Sequence, residues 1–205
     1  MPKKETPLLQ LGSYLPEGSF DEVYDYLQRY KVHLTITRQR ESVLGDYRNS
    51  HAEKNHRISI NGNLNKYLFL ITLLHELAHL LTYEQFGHRV SAHGKEWKNE
   101  YSKILAKFLL KKVFPADIER TLLHTLQKPA ASSCSDVKLL RVLHGYNSIK
   151  EGVVLIEQLP LGATFLLKDG RIFRKGEKAR KRFICTEINT GKIYLFSPVF
   201  EVICK

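Results

Sequence analysis

Residues 66–86 read KYLFLITLLHELAHLLTYEQF, and the place of this segment decides the architecture. Leu68, Phe69, Ile71, Leu73, Leu74, Leu77, Leu80 and Leu81 are spread around the whole helical wheel, so the helix belongs in the middle of a fold. Into that apolar cylinder the chain places His75, Glu76 and His79. At roughly 100° per residue the two imidazoles lie about 40° apart and Glu76 about 60° beyond His79, so all three can converge on one point beside the helix. Burying them without a partner would cost about 2 kcal/mol or more per group. Two neutral imidazoles one turn apart suit two corners of a tetrahedral zinc site, with Glu76 as the base that takes a proton from water.

Such a site needs a third protein ligand. A metzincin arrangement would require glycine at 82 and histidine at 85, where this chain has Thr82 and Gln85. Two candidates stay open on spacing: Glu100 in the next helical segment, and His93, which precedes it after a short loop that begins at Gly87. His88, with Tyr83 and Arg89, lies between the ligands in sequence and could face a substrate. His33, His51, His56, His124 and His144 are isolated and read as surface or hydrogen-bonded residues.

Working outward, residues 1–18 carry Pro2, Pro7, Gly12, Pro16 and Gly18 and read as an irregular lead-in. SFDE offers a capping box, Ser19 with Glu22, for an amphipathic helix over 21–30. VHLTITR, SVLGDYR and RISIN read as three short strands before the central helix. Beyond His93 a lysine-bearing helix is expected over 95–112, stopped by Pro115, then a short helix over 116–127. KPAASSCS, 128–135, reads as a linker and DVKLLRVLH as a further helix. From Gly152 the period changes to that of a β-meander of four or five strands, with turns at Asp169-Gly170 and Asn189-Thr190-Gly191. The fold class is α+β, with the boundary between the two parts in 145–155.

Composition narrows the function classes. With 43% hydrophobic and 26% charged residues the chain is neither disordered nor a membrane protein, and no apolar run approaches a bilayer span. The first residues show no secretory signal, so a cytoplasmic location is expected. Cys134, Cys185 and Cys204 form no CxxC pair, which speaks against a disulfide scaffold and a four-cysteine zinc site. The net charge of +11 points to a polyanionic partner. Its densest source is RIFRKGEKARKR, 171–182, where Arg171, Arg174, Lys175, Lys178, Arg180, Lys181 and Arg182 face one acidic residue. Interleaved with Phe173 and flanked by Phe183, these cations suit phosphate contact and base stacking, including on single-stranded DNA; lysines of the 95–112 helix could extend the surface.

HELAH followed by HGKEW, with RISIN ahead of them, resembles the SprT-like (Spartan-type) metalloproteases over residues of about 20–128, most closely over 57–97. The resemblance implies a small zincin-like core within a domain of residues 19–150. It also implies one zinc ion held by His75, His79 and His93, Glu76 as general base, and Trp97 as a packing residue beside the site. It favours His93 over Glu100. It further implies a zinc-dependent endopeptidase acting on DNA-bound or DNA-crosslinked proteins, with DNA as tether or activator. Many members end in a cysteine-rich zinc ribbon, whereas residues 151–205 keep a hairpin outline with only Cys185 and Cys204. A nucleic-acid-binding zinc protein without protease activity is the alternative.

Overall fold

The computed structural model describes residues 8–40, 43–50, 55–127, 136–148 and 151–204. The expected linker at 128–135, with Cys134, and His51 fall outside them. The chain divides into two compact units, Met1–Asn147 and Ser148–Lys205. Its class is α+β, with five α-helices among the described residues and two sheets.

The first unit is built around α2 (Lys66–Phe86). Asn65 caps it, its side chain accepting from the Leu68 amide at 3.0 Å, and Gly87 ends it at φ 60°, where a side chain would be strained. Phe69, Leu70, Ile71, Leu73, Leu74, Leu77 and Leu80 are all fully buried, each contributing about 1.5–3 kcal/mol of transfer free energy. The buried hydroxyls of Thr72 and Thr82 bond back to the carbonyls of Leu68 and Ala78, so the helix satisfies its own polar atoms.

A three-stranded sheet, β1 (His33–Thr37), β2 (Gly45–Arg48) and β3 (Arg57–Asn61), has the order β1-β3-β2. β1 runs parallel and β2 antiparallel to the central β3, whose Ile58 and Ile60 are buried. The strand expected for SVLGDYR is confined to its second half, beginning at Gly45. Arg40 shapes the approach to β2, its guanidinium donating to Asn61 Oδ1 at 2.8 Å and Ser59 Oγ at 3.0 Å. Asn61 in turn donates to the carbonyls of Arg40 and Val43.

Helices α1 (Phe20–Arg29), α3 (Lys95–Leu110), α4 (Ala116–Gln127) and α5 (Val137–His144) complete the unit. The expected capping box of α1 does not form. Ser19 Oγ donates instead to the Pro16 carbonyl, and Glu22 pairs with Lys107 of α3 and with Lys111 just past its end. The lead-in is more ordered than its prolines and glycines suggest: Leu8–Tyr14 forms a 3-10 helix, and Leu11 and Leu15 are buried in the core.

The second unit is an antiparallel sheet of β4 (Val153–Leu155), β5 (Thr164–Leu166), β6 (Ile172–Ala179), β7 (Arg182–Glu187), β8 (Ile193–Phe196) and β9 (Glu201–Cys204). Its order is β4-β9-β5-β6-β7-β8, so β5 to β8 form the expected meander but β9 returns between β4 and β5. The segment KIYLFSPVFEVI, 192–203, supplies both β8 and most of β9. It is split by a turn in which the Phe200 amide bonds the Ser197 carbonyl at 3.0 Å, with Pro198 at the second turn position. Ile156, Phe165, Phe173, Cys185, Phe196 and Val202 form a separate core. Cys185 is buried and Cys204 exposed, both free thiols.

Candidate metal centre

α2 presents His75 and His79 one turn apart on the side facing β2 and the loop before α3. Gly94 starts α3 and aims the preceding His93 back at them. The three Nε2 atoms meet: His79 lies 3.2 Å and His93 3.3 Å from His75 Nε2. A tetrahedral zinc with Zn–N bonds of about 2.0–2.1 Å spaces its nitrogens by about 3.3–3.4 Å, so the donor set fits that ion. Among the described residues these three form the one group able to hold a metal. Glu100 is not part of it, since its carboxylate accepts from Lys103 Nζ at 2.7 Å.

Electrostatics keeps the imidazoles neutral. Burial, then the neighbouring His79 and His93, lowers the His75 pKa to about 3. Burial and His93 lower that of His79 to about 4, and burial lowers that of His93. Their lone pairs are therefore available to a cation near neutral pH. Trp97, fully buried on α3, packs against all three rings at centroid distances of 4.7, 5.2 and 4.7 Å, as expected for a residue that supports the site.

Glu76 is buried beside the cluster. Desolvation first, then the charge of Asp46, raises its pKa to about 8, while Arg40 opposes the shift. The fit is close: a Cβ on Gly45 would lie 2.6 Å from Glu76 Oε1 and 2.8 Å from Thr72 Cγ2, so only glycine leaves the carboxylate its place. A cleft of about 450 Å³ opens over these groups, with Gly45, Asp46 and Tyr47 of β2 on one wall and Val90, Ser91 and Ala92 on another. His88 and Tyr83 line it too, their rings 5.1 Å apart. Arg89 is not in the lining; its Nε donates to the Phe86 carbonyl. The β2 residues are the part that the HExxH spacing could not locate. A glycine inside a strand-like run was the available signal of a close backbone approach.

A sequence model of the SprT-like family matches residues 19–121, a span that contains the three histidines, Glu76 and the sheet. The chain belongs to the SprT-like family. It is also similar to "Protein SprT" from Glaesserella parasuis serovar 5 (strain SH0165), 61% identical over 31 residues. That stretch is 15% of this chain and 19% of the relative, so the chain matches well under two thirds of that protein's length. No solved structure matches it. No helix among the described residues is long and apolar enough to cross a membrane.

The basic segment of the second unit divides into two sets. Arg174, Lys178, Arg180, Lys181 and Arg182 are exposed, with Arg180 and Lys181 forming the turn between β6 and β7. Arg171 is engaged by Asp169 at 2.8 Å and lies over the rings of Phe173 and Tyr194. Lys175 corrects the expectation: it is 5% exposed, its ammonium donates to the Leu159 carbonyl, and burial lowers its pKa. Alternation along β6 turns it inward with Phe173, which is itself buried and offers no face to a base. Two of the lysines of α3 are also engaged, Lys103 by Glu100 and Lys107 by Glu22, which holds Lys111 beyond the helix end as well.

Proposed function

We propose that the protein is a zinc-dependent endopeptidase acting on proteins held on DNA. The convergence of three neutral imidazole Nε2 atoms beside a buried carboxylate carries this reading, because a purely structural site has no use for a buried base. When bound by His75, His79 and His93, zinc supplies Lewis acidity and lowers the pKa of water to about 7. Glu76, lining the cleft, would serve as the base once a cation at the three histidines lowered its raised pKa: it takes the proton from the attacking water and delivers it to the leaving peptide nitrogen. β2 is an edge strand and forms a cleft wall, so an extended peptide can lie along it with backbone hydrogen bonds. The exposed cations of the β6–β7 hairpin supply nonspecific attraction to phosphates, which brings DNA and the proteins on it to the enzyme.

The same exposed hairpin favours a second reading, a nucleic-acid-binding zinc protein without peptidase activity. Proteolysis of a DNA-binding protein by zinc-loaded chain, with and without single-stranded DNA, separates them. Cleavage that needs DNA and is lost in Glu76→Gln supports the peptidase. DNA binding unaffected by Glu76→Gln, with no cleavage in any condition, leaves only the binding protein.

A further inference from the structure

Tyr47, on one wall of the cleft, heads a series of side chains that the proposed chemistry does not use. His56 links Glu84 to Tyr47: its Nε2 lies 3.1 Å from Glu84 Oε1 and its Nδ1 2.9 Å from the Tyr47 hydroxyl. A third contact settles the proton positions. The Ser50 backbone N–H, which can only donate, faces the same Nδ1 at 3.3 Å. Nδ1 is therefore an acceptor, the Tyr47 hydroxyl donates to it, and Nε2–H donates to the Glu84 carboxylate. His56 is 6% exposed, so the middle of this series is held inside the protein and fixes the outer end of Tyr47, while the Glu84 carboxylate reaches the surface.

The inner end is a ring face against a candidate metal ligand. The Tyr47 and His79 rings are nearly parallel, 4° apart, with centroids separated by 6.3 Å. Trp97 of α3 packs on the same imidazole at 5.2 Å. Metal-binding histidines are ordinarily oriented by a hydrogen bond from the second ring nitrogen to a carboxylate, a carbonyl or water. Among the described residues His79 Nδ1 has no such protein partner; the ring's hydrogen-bond contact is that of Nε2 with His75. Packing therefore sets its plane, and Tyr47 is the packing residue that is itself tethered by hydrogen bonds.

We propose that Tyr47, anchored through His56 and Glu84, is a positioning residue for His79: its ring fixes the imidazole plane and so the direction of Nε2 toward His75 and His93. This rests on the reading that the three histidines hold zinc. Tyr47 of β2, His56 outside the ligand set and Glu84 thus share a task that none has alone.

The test is zinc affinity by chelator competition, together with the visible absorption spectrum of the Co2+-loaded chain. Both are measured for wild type, Tyr47→Leu, Tyr47→Phe and His56→Leu, with the melting temperature of each metal-free form. Tyr47→Leu is expected to weaken zinc binding about tenfold, the low end for loss of a group that orients a ligand, and to shift the cobalt bands. Tyr47→Phe, which keeps the ring face, restores most of the affinity, and His56→Leu, which cuts the tether, gives a smaller loss than Tyr47→Leu. Wild-type affinity and spectrum in Tyr47→Leu overturn the proposal, even if the metal-free protein melts earlier. Should Tyr47→Leu fail to fold, unchanged affinity and spectrum in both other variants overturn it. A wild-type chain that binds no zinc sinks the metal reading and this inference with it, a result distinct from tight wild-type binding that Tyr47 does not influence.

Discussion

The helix α2 and the β6–β7 hairpin treat polar side chains in opposite ways. In α2, His75 and Glu76 are less than a tenth exposed, and each carries a desolvation cost that only a specific partner offsets. In the hairpin, five cations stand in water, where each costs little and can be exchanged for another at small loss. Position is therefore strongly specified in the first and weakly in the second. The contrast has a practical meaning: a buried polar group identifies its ligand by geometry, whereas an exposed charge identifies at most the sign of its partner.

The largest effect should come from the buried side of this contrast. Glu76→Gln keeps the shape but cannot hold the proton, and peptidase activity is expected to fall by about 10²–10⁴, the range for a general base. Zinc content should remain at the wild-type level, measured by metal analysis of the purified variant. Activity that survives the substitution would remove the chemical distinction between the two regions.

Metal linkage comes next. Free zinc at about 100 times its dissociation constant should add about 2.7 kcal/mol to the unfolding free energy, and chelation should remove it. His79→Ala should abolish that increment. Equal zinc dependence in wild type and His79→Ala, read by thermal unfolding with and without chelator, would show that the ion binds elsewhere.

Gly45→Ala sharpens the comparison by changing a residue that carries no charge. Its methyl group would press on Glu76 Oε1 and on Thr72, so a cost of about 1–3 kcal/mol in stability is expected, with reduced turnover. A single methyl anywhere on the hairpin tip should do neither. An unaltered turnover number in Gly45→Ala would mean that β2 does not define where the carboxylate sits.

These contrasts also explain what could be read from the chain. The histidine pair and its glutamate were legible because burial in an apolar helix makes them improbable without a purpose, and the HGKEW context directed attention to His93. β2 was legible only as a strand-like run with an unexplained glycine, since the approach of Gly45 to Glu76 is a contact across elements that no local pattern encodes. The six-stranded order of the second unit was hidden for a similar reason: β9 pairs with β4 and β5, strands far from it in sequence. Lys175 is where charge alone is least informative, because strand alternation along β6, broken only beyond it by the bulge between Lys175 and Lys178, turns it inward.

On the exposed side the effects are smaller and distributed. Replacing Arg180, Lys181 and Arg182 together by alanine should flatten the salt dependence of DNA affinity, by about 0.7–0.9 in slope for each phosphate no longer neutralised. Zinc affinity should not change. Lys175→Ala, by comparison, should leave the slope as it is and lower stability, because that ammonium is bonded to the Leu159 carbonyl inside the second unit. If Lys175→Ala changed the salt slope as much as a substitution at the hairpin tip, the division between inward and outward cations would be wrong.

The smallest effect tests a charge that lies between these extremes. Glu22 is largely covered, and although burial alone would raise its pKa, hydrogen bonds from Lys107 and Lys111 hold it below the ordinary carboxylate value. A depressed folded pKa gives stability that is present above the unfolded pKa of about 4.3 and is lost as the pH falls through the folded value. Glu22→Gln should therefore cost about 1 kcal/mol or less at pH 7, and the difference from wild type in urea unfolding should close as the solution is acidified below pH 4. A difference that persists in acid would mean the carboxylate acts through packing. Lys107 and Lys111 would then be less committed to Glu22 than the geometry implies, and more available to a phosphate.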